Sequence, residues 1–327
     1  MPESTSVHLP EDAFLEQFIG AMALESALRN GLIDALHAGH PMPHSRSAGI
    51  LSALLESNGV LAEGKLTAAF TKVIDERRSI LEQKLRFLRL AAKDVTNGLD
   101  DLLGDLPAFM AQSETFALFR YDKAMRTDQE ALAATRSWVD YVTALSQAEA
   151  PALVPHLPLQ GARRLLEVGG NTGVIARAAL EMNPDLTAAI LDLPAVCAIG
   201  EEMGPHSRLT FVPGDARAPD WPLVGGARPD VIMFKSVLHD WPQDQAMLML
   251  ERAIDHLAPS GRVIICERGA FANGPLPFWM TANLVFAPFY RPASDYHAAL
   301  AAGGLSDVVQ SDVAMDMTFH IVSGRKA

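Results

Sequence analysis

The sequence predicts an α/β protein in which a mainly helical N-terminal half, with a winged-helix outline, precedes a doubly wound, mostly parallel, Rossmann-like sheet. Apolar residues recur at helical spacing through the first half of the 327 residues, and short apolar runs alternate with helical segments in the second half. A glycine-rich turn follows the first of those runs. We therefore expect parallel βαβ units, because strands that alternate with helices form them.

Residues 1–75 are predicted to form a winged-helix-like domain. Apolar spacing over 11–40 indicates a helix that is interrupted at Gly31, after which a short helix runs from Leu32 to His37. A further helix ends before Gly59, and two short apolar runs around Glu63-Gly64 are typical of a hairpin.

Residues 76–150 are predicted to be a helical linker and residues 151–327 the second domain, with a connector that begins at Pro151. One stripe at helical spacing in the linker indicates core or subunit packing: Trp138, Tyr141, Val142 and Leu145. Five strands are predicted in the second domain: Arg164–Val168, Thr187–Leu191, Leu209–Val212, Val231–Lys235 and Arg262–Cys266.

Composition disfavours several classes of protein. No apolar run approaches the ~20 residues that span a bilayer. The net charge of −12 disfavours nucleic-acid binding, which needs Lys and Arg to neutralise phosphates. The two cysteines, Cys197 and Cys266, form neither a disulfide framework nor a zinc motif. Since the first residues also lack the features of a secretory signal, we expect a cytoplasmic protein with no membrane partner, no nucleic-acid partner and no metal.

A strand-to-helix turn with the spacing E-x-G-G-N-x-G is the first informative motif. A dinucleotide-binding turn requires G-x-G-x-x-G, and this pattern fails because Asn171 and Val174 occupy two of its glycine positions. The spacing instead matches class I S-adenosylmethionine (SAM) sites, where glycines let the backbone approach the ligand. Asn171 is a residue type that tolerates left-handed backbone. The candidate SAM contacts in this turn are Glu167, Gly169, Gly170 and Gly173.

Two acidic residues follow the next two strands. Asp192 ends the second strand, where its carboxylate would accept hydrogen bonds from both ribose hydroxyls, although it could instead cap the helix that starts near Pro194. Asp215 ends the third strand, where it would reach the adenine amino group or simply belong to a turn. Leu193 and Ala216, which follow these acids, are two further candidate SAM contacts.

The segment after the fourth strand contains the candidate catalytic residues. His239 lies beyond the carboxyl end of a strand, where ligands of doubly wound sheets bind, and histidine is a base near neutral pH. Asp240, or Glu267 at the end of the next strand, would orient the imidazole; for Glu267 the alternative is a salt bridge with Arg268 or a neighbour. Lys235 is a candidate contact for the SAM carboxylate, or a solvated charge at the strand end.

Together these motifs resemble the plant-type small-molecule O-methyltransferase family, which includes caffeate- and hydroxyindole-type enzymes and bacterial relatives that tailor secondary metabolites. The glycine turn, Asp-Leu-Pro, Gly-Asp, Lys-x-x-x-His-Asp-Trp and the strand-end Glu occur in family order across residues 165–267. His-Asp-Trp is the most specific motif. The N-terminal outline also matches, so the resemblance covers most of the chain.

The resemblance implies methyl transfer from SAM to a hydroxyl of a small aromatic or heteroaromatic molecule, without a metal. His239 would be the base and Glu267 would hold it. The implied SAM contacts are Gly169, Asp192, Asp215 and Lys235. The resemblance also implies a homodimer formed by the N-terminal half, and an acceptor pocket lined by residues 110–145 and 270–290, including Phe278, Trp279 and Met280.

Three positions depart from the family pattern. Glu167 stands where Asp is commoner, Asn171 replaces a glycine, and residues 290–294 lack a second active-site glutamate. The last departure predicts a different acceptor pocket. Three alternatives stay open: N- or C-methylation, SAM binding without methyl transfer, and a winged-helix regulator with a vestigial SAM domain.

Overall fold

A computed structural model of the chain describes residues 11–269, 276–315 and 317–327. The described residues form two compact units. The helical unit comprises residues 11–117 and 276–286, and the sheet unit comprises residues 118–269 together with the described residues from 287 onward.

The helices are α1 (Phe18–Arg29), α2 (Leu32–His37), α3 (Arg46–Ser57), α4 (Ala68–Gly104), α5 (Leu106–Gln112), α6 (Glu114–Leu118), α7 (Tyr121–Ala124), α8 (Gln129–Leu153), α9 (Val174–Met182), α10 (Pro194–Glu201), α11 (Gln243–His256), α12 (Thr281–Phe286) and α13 (Ala293–Ala302). The strands are β1 (Leu61–Ala62), β2 (Lys65–Leu66), β3 (Arg164–Val168), β4 (Thr187–Asp192), β5 (Leu209–Pro213), β6 (Val231–Lys235), β7 (Arg262–Arg268), β8 (Ser306–Ala314) and β9 (Thr318–Arg325).

The helical unit contains the helices and the hairpin that the sequence predicts. Helix α1 begins at Phe18 rather than at residue 11, because a separate 3₁₀ turn, Asp12–Phe14, precedes it. Helix α2 has the predicted bounds, and Gly31 precedes it with a φ of 71°, which glycine adopts without strain. Strands β1 and β2 pair antiparallel around Glu63 and Gly64, whose φ values of 51° and 73° suit a tight hairpin turn.

The sheet unit contains one seven-stranded sheet in the order β5-β4-β3-β6-β7-β9-β8. Strands β3 to β7 all run parallel to one another, which confirms the doubly wound, mostly parallel sheet. Strand β9 pairs antiparallel with β7 on one side and with β8 on the other. All five predicted strands form. The strand order reverses between β3 and β6, so a crevice for a ligand is expected at the carboxyl ends of these two strands.

Both faces of the sheet are covered. Every residue of β6 is buried, as is all of β7 except its first residue. Ile232 and Phe234 belong to one hydrophobic core, whereas Val231 and Met233 belong to the other, because successive strand residues point to opposite faces. The two hydrophobic cores therefore fix the positions of the residues that follow β6 and β7 at the carboxyl end of the sheet.

Two parts of the sheet unit differ from the sequence prediction. Helix α8 continues through Pro151 to Leu153, so the connector begins later than predicted; in the last turn a proline removes a single helical hydrogen bond. The predicted domain bounds at 75 and 150 lie within α4 of the helical unit and α8 of the sheet unit, and the division into three domains stays a prediction. Strands β8 and β9 were not predicted; β8 lies at the sheet edge, exposes most of its residues and lacks a continuous apolar run, whereas β9 is mostly buried between β7 and β8.

A buried ion-pair network joins α8 to the ends of two central strands. Glu149 of α8 pairs with Lys235 of β6 and with Arg268 of β7. All three residues are buried. The ammonium group and the guanidinium carbon lie 5.8 Å and 4.6 Å from the ring centroid of Phe319. Glu149 therefore provides negative charge where two cations are removed from water.

Replacing Glu149 with Ala is expected to destabilise the protein by about 3–5 kcal/mol, because the substitution removes the carboxylate that pairs with two buried cations. Glu202→Ala is the matched control, since its ion pair with Arg136 is solvent-exposed and should contribute ~1 kcal/mol or less. Urea unfolding followed by circular dichroism measures both changes. Equal losses in the two variants would contradict this role of Glu149.

Candidate active site

The turn between β3 and α9 lies at the carboxyl end of the sheet. Gly169, Asn171 and Gly173 have φ values of 68°, 53° and 75°, so Asn171 adopts the left-handed conformation that its residue type tolerates. Gly169 has no room for a side chain. A Cβ at this position would lie 2.6 Å from Cγ2 of Val237. The amide of Gly169 donates to the carbonyl of Leu191 at 2.8 Å, which ties the turn to β4. Glycine is thus required where the turn leaves the strand.

Helix α8 contributes a hydroxyl group to this turn. The buried Thr143 donates to Oδ1 of Asn171 at 3.1 Å, and its Oγ1 lies 2.9 Å from Oγ1 of Thr172. Oδ1 of Asn171 also accepts from the amide of Thr172 at 2.6 Å. Asn171, which replaces a glycine of the family pattern, is therefore held in place by hydrogen bonds from Thr143 and from the amide of Thr172. Nothing local in the sequence points to Thr143, which is 28 positions from Asn171.

Glu167 is buried under the turn. Its side-chain Oε2 accepts from the amide of Ala176 in α9 at 3.1 Å. Burial raises the pKa of Glu167 to about 8, although Lys235 and the Ala176 amide oppose this shift. A Cβ at Gly170 would lie 3.0 Å from Cγ of Glu167, so this glycine fits closely over the carboxyl group. The contacts support the turn, and the SAM contacts of Glu167 and Gly170 stay predictions.

Asp192 is half-buried at the end of β4 beside the turn. Its Oδ2 accepts from the amide of Asn171 at 2.8 Å, and its Oδ1 accepts from the amide of Leu193 at 2.7 Å. Helix α10 begins at Pro194 with Leu193 as its N-cap and no side-chain cap, so the alternative that Asp192 caps this helix is wrong. Each carboxylate oxygen keeps acceptor capacity for a ribose hydroxyl. This donor and acceptor set fits the nucleoside part of SAM.

Asp215 lies in a turn after β5 and forms an ion pair. Its Oδ1 accepts from the amide of Arg217 at 2.8 Å, and its Oδ2 accepts from Nη2 of the same residue at 2.6 Å. The guanidinium carbon of Arg217 lies 4.3 Å from the ring centroid of Trp241. The carbonyl of Ala216 accepts from the indole of Trp221 at 3.0 Å. The turn is therefore observed, and the SAM contacts of Asp215 and Ala216 stay predictions.

The ammonium group of Lys235 contacts two side chains of α8. Besides its ion pair with Glu149, its ammonium donates to Oγ of Ser146 at 3.4 Å. The alternative of a solvated charge is wrong, because Lys235 is only 8% exposed. A contact with the SAM carboxylate would share this ammonium with Glu149. Leu193, another predicted contact, packs against a cluster that includes Trp138.

His239 and Glu267 meet at the ends of adjacent strands. His239 lies in a 3₁₀ turn that follows β6, and its Nδ1 is 2.6 Å from Oε2 of Glu267. The other oxygen of Glu267 accepts from the amides of Val237 and Leu238 at 2.9 Å and 2.8 Å. Arg268 instead pairs with Glu149. The carboxylate of Glu267 thus fixes both the histidine ring and the turn that carries it.

The imidazole lies between two carboxylates. Oδ1 of Asp240 is 3.3 Å from Nε2 of His239, and Oδ2 of Asp240 accepts from the hydroxyl of Tyr121 at 2.9 Å. Burial lowers the pKa of His239, but Glu267 and Asp240 outweigh it and raise the pKa above its ordinary value. Burial raises the pKa of Glu267, but His239 and two amides outweigh it and lower that pKa. The geometry therefore stabilises a protonated imidazole.

Residues 290–294 also reach the histidine turn. The rings of Tyr290 and His239 are 5.3 Å apart at an interplanar angle of 76°. Arg291 donates to the carbonyls of Leu238 and Trp241 at 2.6 Å and 2.5 Å. Where the resemblance leads to a second glutamate, this chain therefore has an arginine that fixes the turn.

Phe278–Met280 belong to the helical unit. The ring of Phe278 contacts Phe18 edge-on at 5.0 Å, and the ammonium of Lys84 lies 5.8 Å from the ring of Trp279. Met280 is buried. These residues contribute to packing within that unit, and their place in an acceptor pocket stays a prediction. Residues 270–275 of the same predicted lining lie outside the described residues.

A family model for the O-methyltransferase domain matches residues 107–277, which is just over half of the chain. The chain belongs to the O-methyltransferase domain family. It is accordingly a SAM-dependent O-methyltransferase, and the resemblance drawn from its motifs is confirmed.

Two relatives and one solved structure illustrate this membership. The chain is 27% identical over 330 residues to 3-hydroxy-5-methyl-1-naphthoate 3-O-methyltransferase of Streptomyces sahachiroi, covering 93% of this chain and 91% of the relative. It is 31% identical over 173 residues to L-tyrosine C(3)-methyltransferase of Streptomyces lavendulae, covering 52% and 43%. Human N-acetylserotonin methyltransferase in complex with SAM superposes with a TM-score of 0.66 at 17% identity, covering 94% of each chain, which supports the fold.

Several features bear on other chemistry. Within the described ranges, no group of three or more His, Cys, Asp or Glu side chains is arranged to hold a metal ion. No helix in the described part of the chain has the length and apolarity to cross a membrane. Cys197 and Cys266 are buried, and burial raises the pKa of Cys197 to about 12, which makes it a poor nucleophile.

Binding of S-adenosylhomocysteine, the product of SAM, is expected to weaken at acid pH. Burial raises the pKa of Asp192 to about 6, and only its carboxylate form accepts two ribose hydroxyls. Affinity should therefore fall about tenfold between pH 7 and pH 5. Asp192→Asn should weaken binding roughly tenfold at pH 7 and remove this dependence. Calorimetric titration measures both, with the exposed Asp220→Asn as control; unchanged binding in Asp192→Asn would exclude it from the donor site.

Glu167 is expected to make the protein less stable as the pH rises. Its folded pKa of about 8 exceeds the ordinary 4.5, so the protonated carboxyl stabilises the fold fully below pH 4.5 and this contribution is lost as the pH approaches 8. Glu167→Gln keeps a neutral side chain and should become more stable than wild type by a few kcal/mol at pH 8, at ~1.4 kcal/mol per pKa unit. Thermal unfolding across pH tests this, with Glu202→Gln as control. Parallel stability curves for Glu167→Gln and wild type would contradict it.

Proposed function

We propose that this enzyme methylates a hydroxyl of a small aromatic or heteroaromatic molecule, with His239 as the general base and Glu267 as the residue that orients it. The observation that carries the proposal is the 2.6 Å contact between Nδ1 of His239 and Oε2 of the buried Glu267. Because this contact occupies Nδ1, Nε2 is the ring nitrogen that takes up a proton, with Oδ1 of Asp240 beside it at 3.3 Å.

The donor side of the proposed site is formed by the residues after β3, β4 and β5. Asp192 binds the ribose hydroxyls, the turn at Gly169 and Gly173 lets the backbone approach the ligand, and Asp215 binds the adenine end. SAM, when bound, supplies a methyl group activated by a positively charged sulfur. Asp192 and the turn hold this group in line with the acceptor oxygen, and such alignment lowers a barrier by several kcal/mol.

On the acceptor side, His239 removes the hydroxyl proton as the oxygen is methylated. The proton passes to Nε2, and the resulting imidazolium is stabilised by Glu267 at Nδ1. Because nearby carboxylates raise the pKa of His239, the fraction of neutral base increases as the pH rises above ~6.5. A positioned base of this kind contributes about 10²–10⁴ in rate.

An aromatic acceptor is supported by the rings around the base. Tyr290 contacts the imidazole of His239, and Tyr121 stacks on Trp241 with centroids 5.8 Å apart at 30°. Flat apolar faces of this kind suit an aromatic ring. The Streptomyces sahachiroi relative is named for a hydroxynaphthoate, which belongs to the same chemical class.

A second candidate is methylation at an aromatic carbon, because the Streptomyces lavendulae relative is named as a C-methyltransferase. A base that deprotonates a phenol also increases electron density at the neighbouring ring carbons. The same His239 would therefore serve both reactions, and the position of the new methyl group in the product distinguishes them.

We also propose a homodimer in a reducing, cytoplasmic setting. The large apolar side chains that the helical unit exposes include Phe18, Ile19 and Ile50, which a partner would cover. The free thiols of Cys197 and Cys266 accord with a reducing compartment. Sedimentation equilibrium at micromolar concentration tests the dimer, which a monomer mass would overturn.

His239→Ala is expected to lower turnover about 10²–10⁴-fold and to leave the affinity for S-adenosylhomocysteine nearly unchanged, because the base is lost and the donor contacts remain. The assay supplies methyl-¹³C SAM with hydroxynaphthoates, catechols and hydroxyindoles, and NMR of the product assigns each new methyl to oxygen or carbon. The control is His256→Ala, at a histidine whose Nε2 lies 2.8 Å from the carbonyl oxygen of Pro222. Full turnover by His239→Ala would contradict the assignment of the base.

A further inference from the structure

We propose that Tyr121 is a positioning residue whose hydroxyl holds the Asp240 carboxylate against Nε2 of His239, so that Asp240 acts as the second negative charge at the imidazole. This inference rests on the proposed role of His239 as the base. It assigns a function to Tyr121, which begins the short helix α7.

The Asp240 carboxylate divides its two oxygens between two partners. Oδ2 accepts from the hydroxyl of Tyr121 at 2.9 Å, and Oδ1 lies 3.3 Å from Nε2 of His239. A carboxylate is planar, so fixing one oxygen also fixes the direction of the other. The hydroxyl of Tyr121 therefore determines whether Oδ1 faces the imidazole.

The ring of Tyr121 is itself held on more than one side. It contacts Trp138 of α8 edge-on at 5.3 Å, and it stacks on Trp241 at 5.8 Å. Phe119 adds a further edge contact at 6.3 Å. Because the ring is fixed by these contacts, its hydroxyl is aimed at Asp240 without the entropic cost of ordering a free side chain.

Asp240 needs this support more than Glu267 does. The side chain of Asp240 is 26% exposed and that of Glu267 is 1% exposed. Two backbone amides and His239 hold Glu267 in place, whereas among the described residues the hydroxyl of Tyr121 is the one hydrogen-bond donor to the carboxylate of Asp240. Without the hydroxyl, the carboxylate of Asp240 would be free to turn towards solvent.

The two carboxylates act on the proton that His239 receives. The acceptor O–H bond breaks and its proton moves to Nε2, the O–CH₃ bond forms, and the S–CH₃ bond breaks with its electron pair passing to sulfur. Asp240 takes no proton and stabilises the imidazolium across Nε2. The charged groups that face His239 are Glu267, Asp240 and, with opposite sign, Arg268. Tyr121 stays a neutral donor, since burial raises the pKa of its hydroxyl.

The test is a ¹H–¹³C NMR titration of the histidine imidazoles in the full chain, with the His239 signal identified from its loss in His239→Gln. Tyr121→Phe should lower the apparent pKa of His239 by about half a unit, because the counter-charge of Asp240 is no longer held at Nε2. Asp240→Asn should lower it further. The double variant Tyr121→Phe/Asp240→Asn should match Asp240→Asn alone, since Tyr121 acts through Asp240.

Tyr141→Phe, which removes the hydroxyl of a tyrosine in α8, is the matched control and should leave the titration of His239 unchanged. An unshifted titration in Tyr121→Phe, or shifts that add in the double variant, would overturn the proposal. Because this readout needs no acceptor, it is independent of the proposed reaction. With an acceptor identified, Tyr121→Phe should lower kcat about tenfold without changing the affinity for S-adenosylhomocysteine.

Discussion

The carboxylate of Glu267 is the interaction on which the proposed chemistry depends. One oxygen accepts from two successive amides of the turn after β6, and the other contacts Nδ1 of His239 at 2.6 Å. Glu267 lies near the end of the buried strand β7. Its contact with Nδ1 therefore fixes the proposed base, His239, relative to the sheet. The same negative charge stabilises the imidazolium that forms when a proton is taken up.

The sheet brings the two halves of the reaction together. Strand order reverses between β3 and β6, and the glycine turn follows the first of these strands while His239 follows the second. Neighbouring parallel strands end on the same side of the sheet, so the residues proposed to bind SAM and the proposed base are placed together although they are far apart in the chain. Glu149 ties α8 to Lys235 and Arg268 at this edge, which gives the strand ends a second support.

Much of this arrangement is readable from the sequence. Buried parallel strands are continuous apolar runs, and the strands bearing Glu167, Asp192 and Glu267 are accordingly predicted close to their true bounds. The contacts made by α8 and α7 are not readable, because Glu149 and Tyr121 reach their partners across 86 and 119 positions and carry no local motif. Burial is not readable from the sequence either: it raises the pKa of Glu167 to about 8, and the carboxyl group accepts from the amide of Ala176 under the turn.

The pH dependence of kcat/KM in wild type and Glu267→Gln tests the role of the histidine–carboxylate pair most directly. We expect an acid limb above pH ~6.5 in wild type, which moves to lower pH in Glu267→Gln while the plateau rate falls about 10- to 100-fold. The shift follows because the charge of Glu267 raises the pKa of His239. If the acid limb and the plateau are the same in both proteins, Glu267 neither raises the pKa of His239 nor supports it as the base.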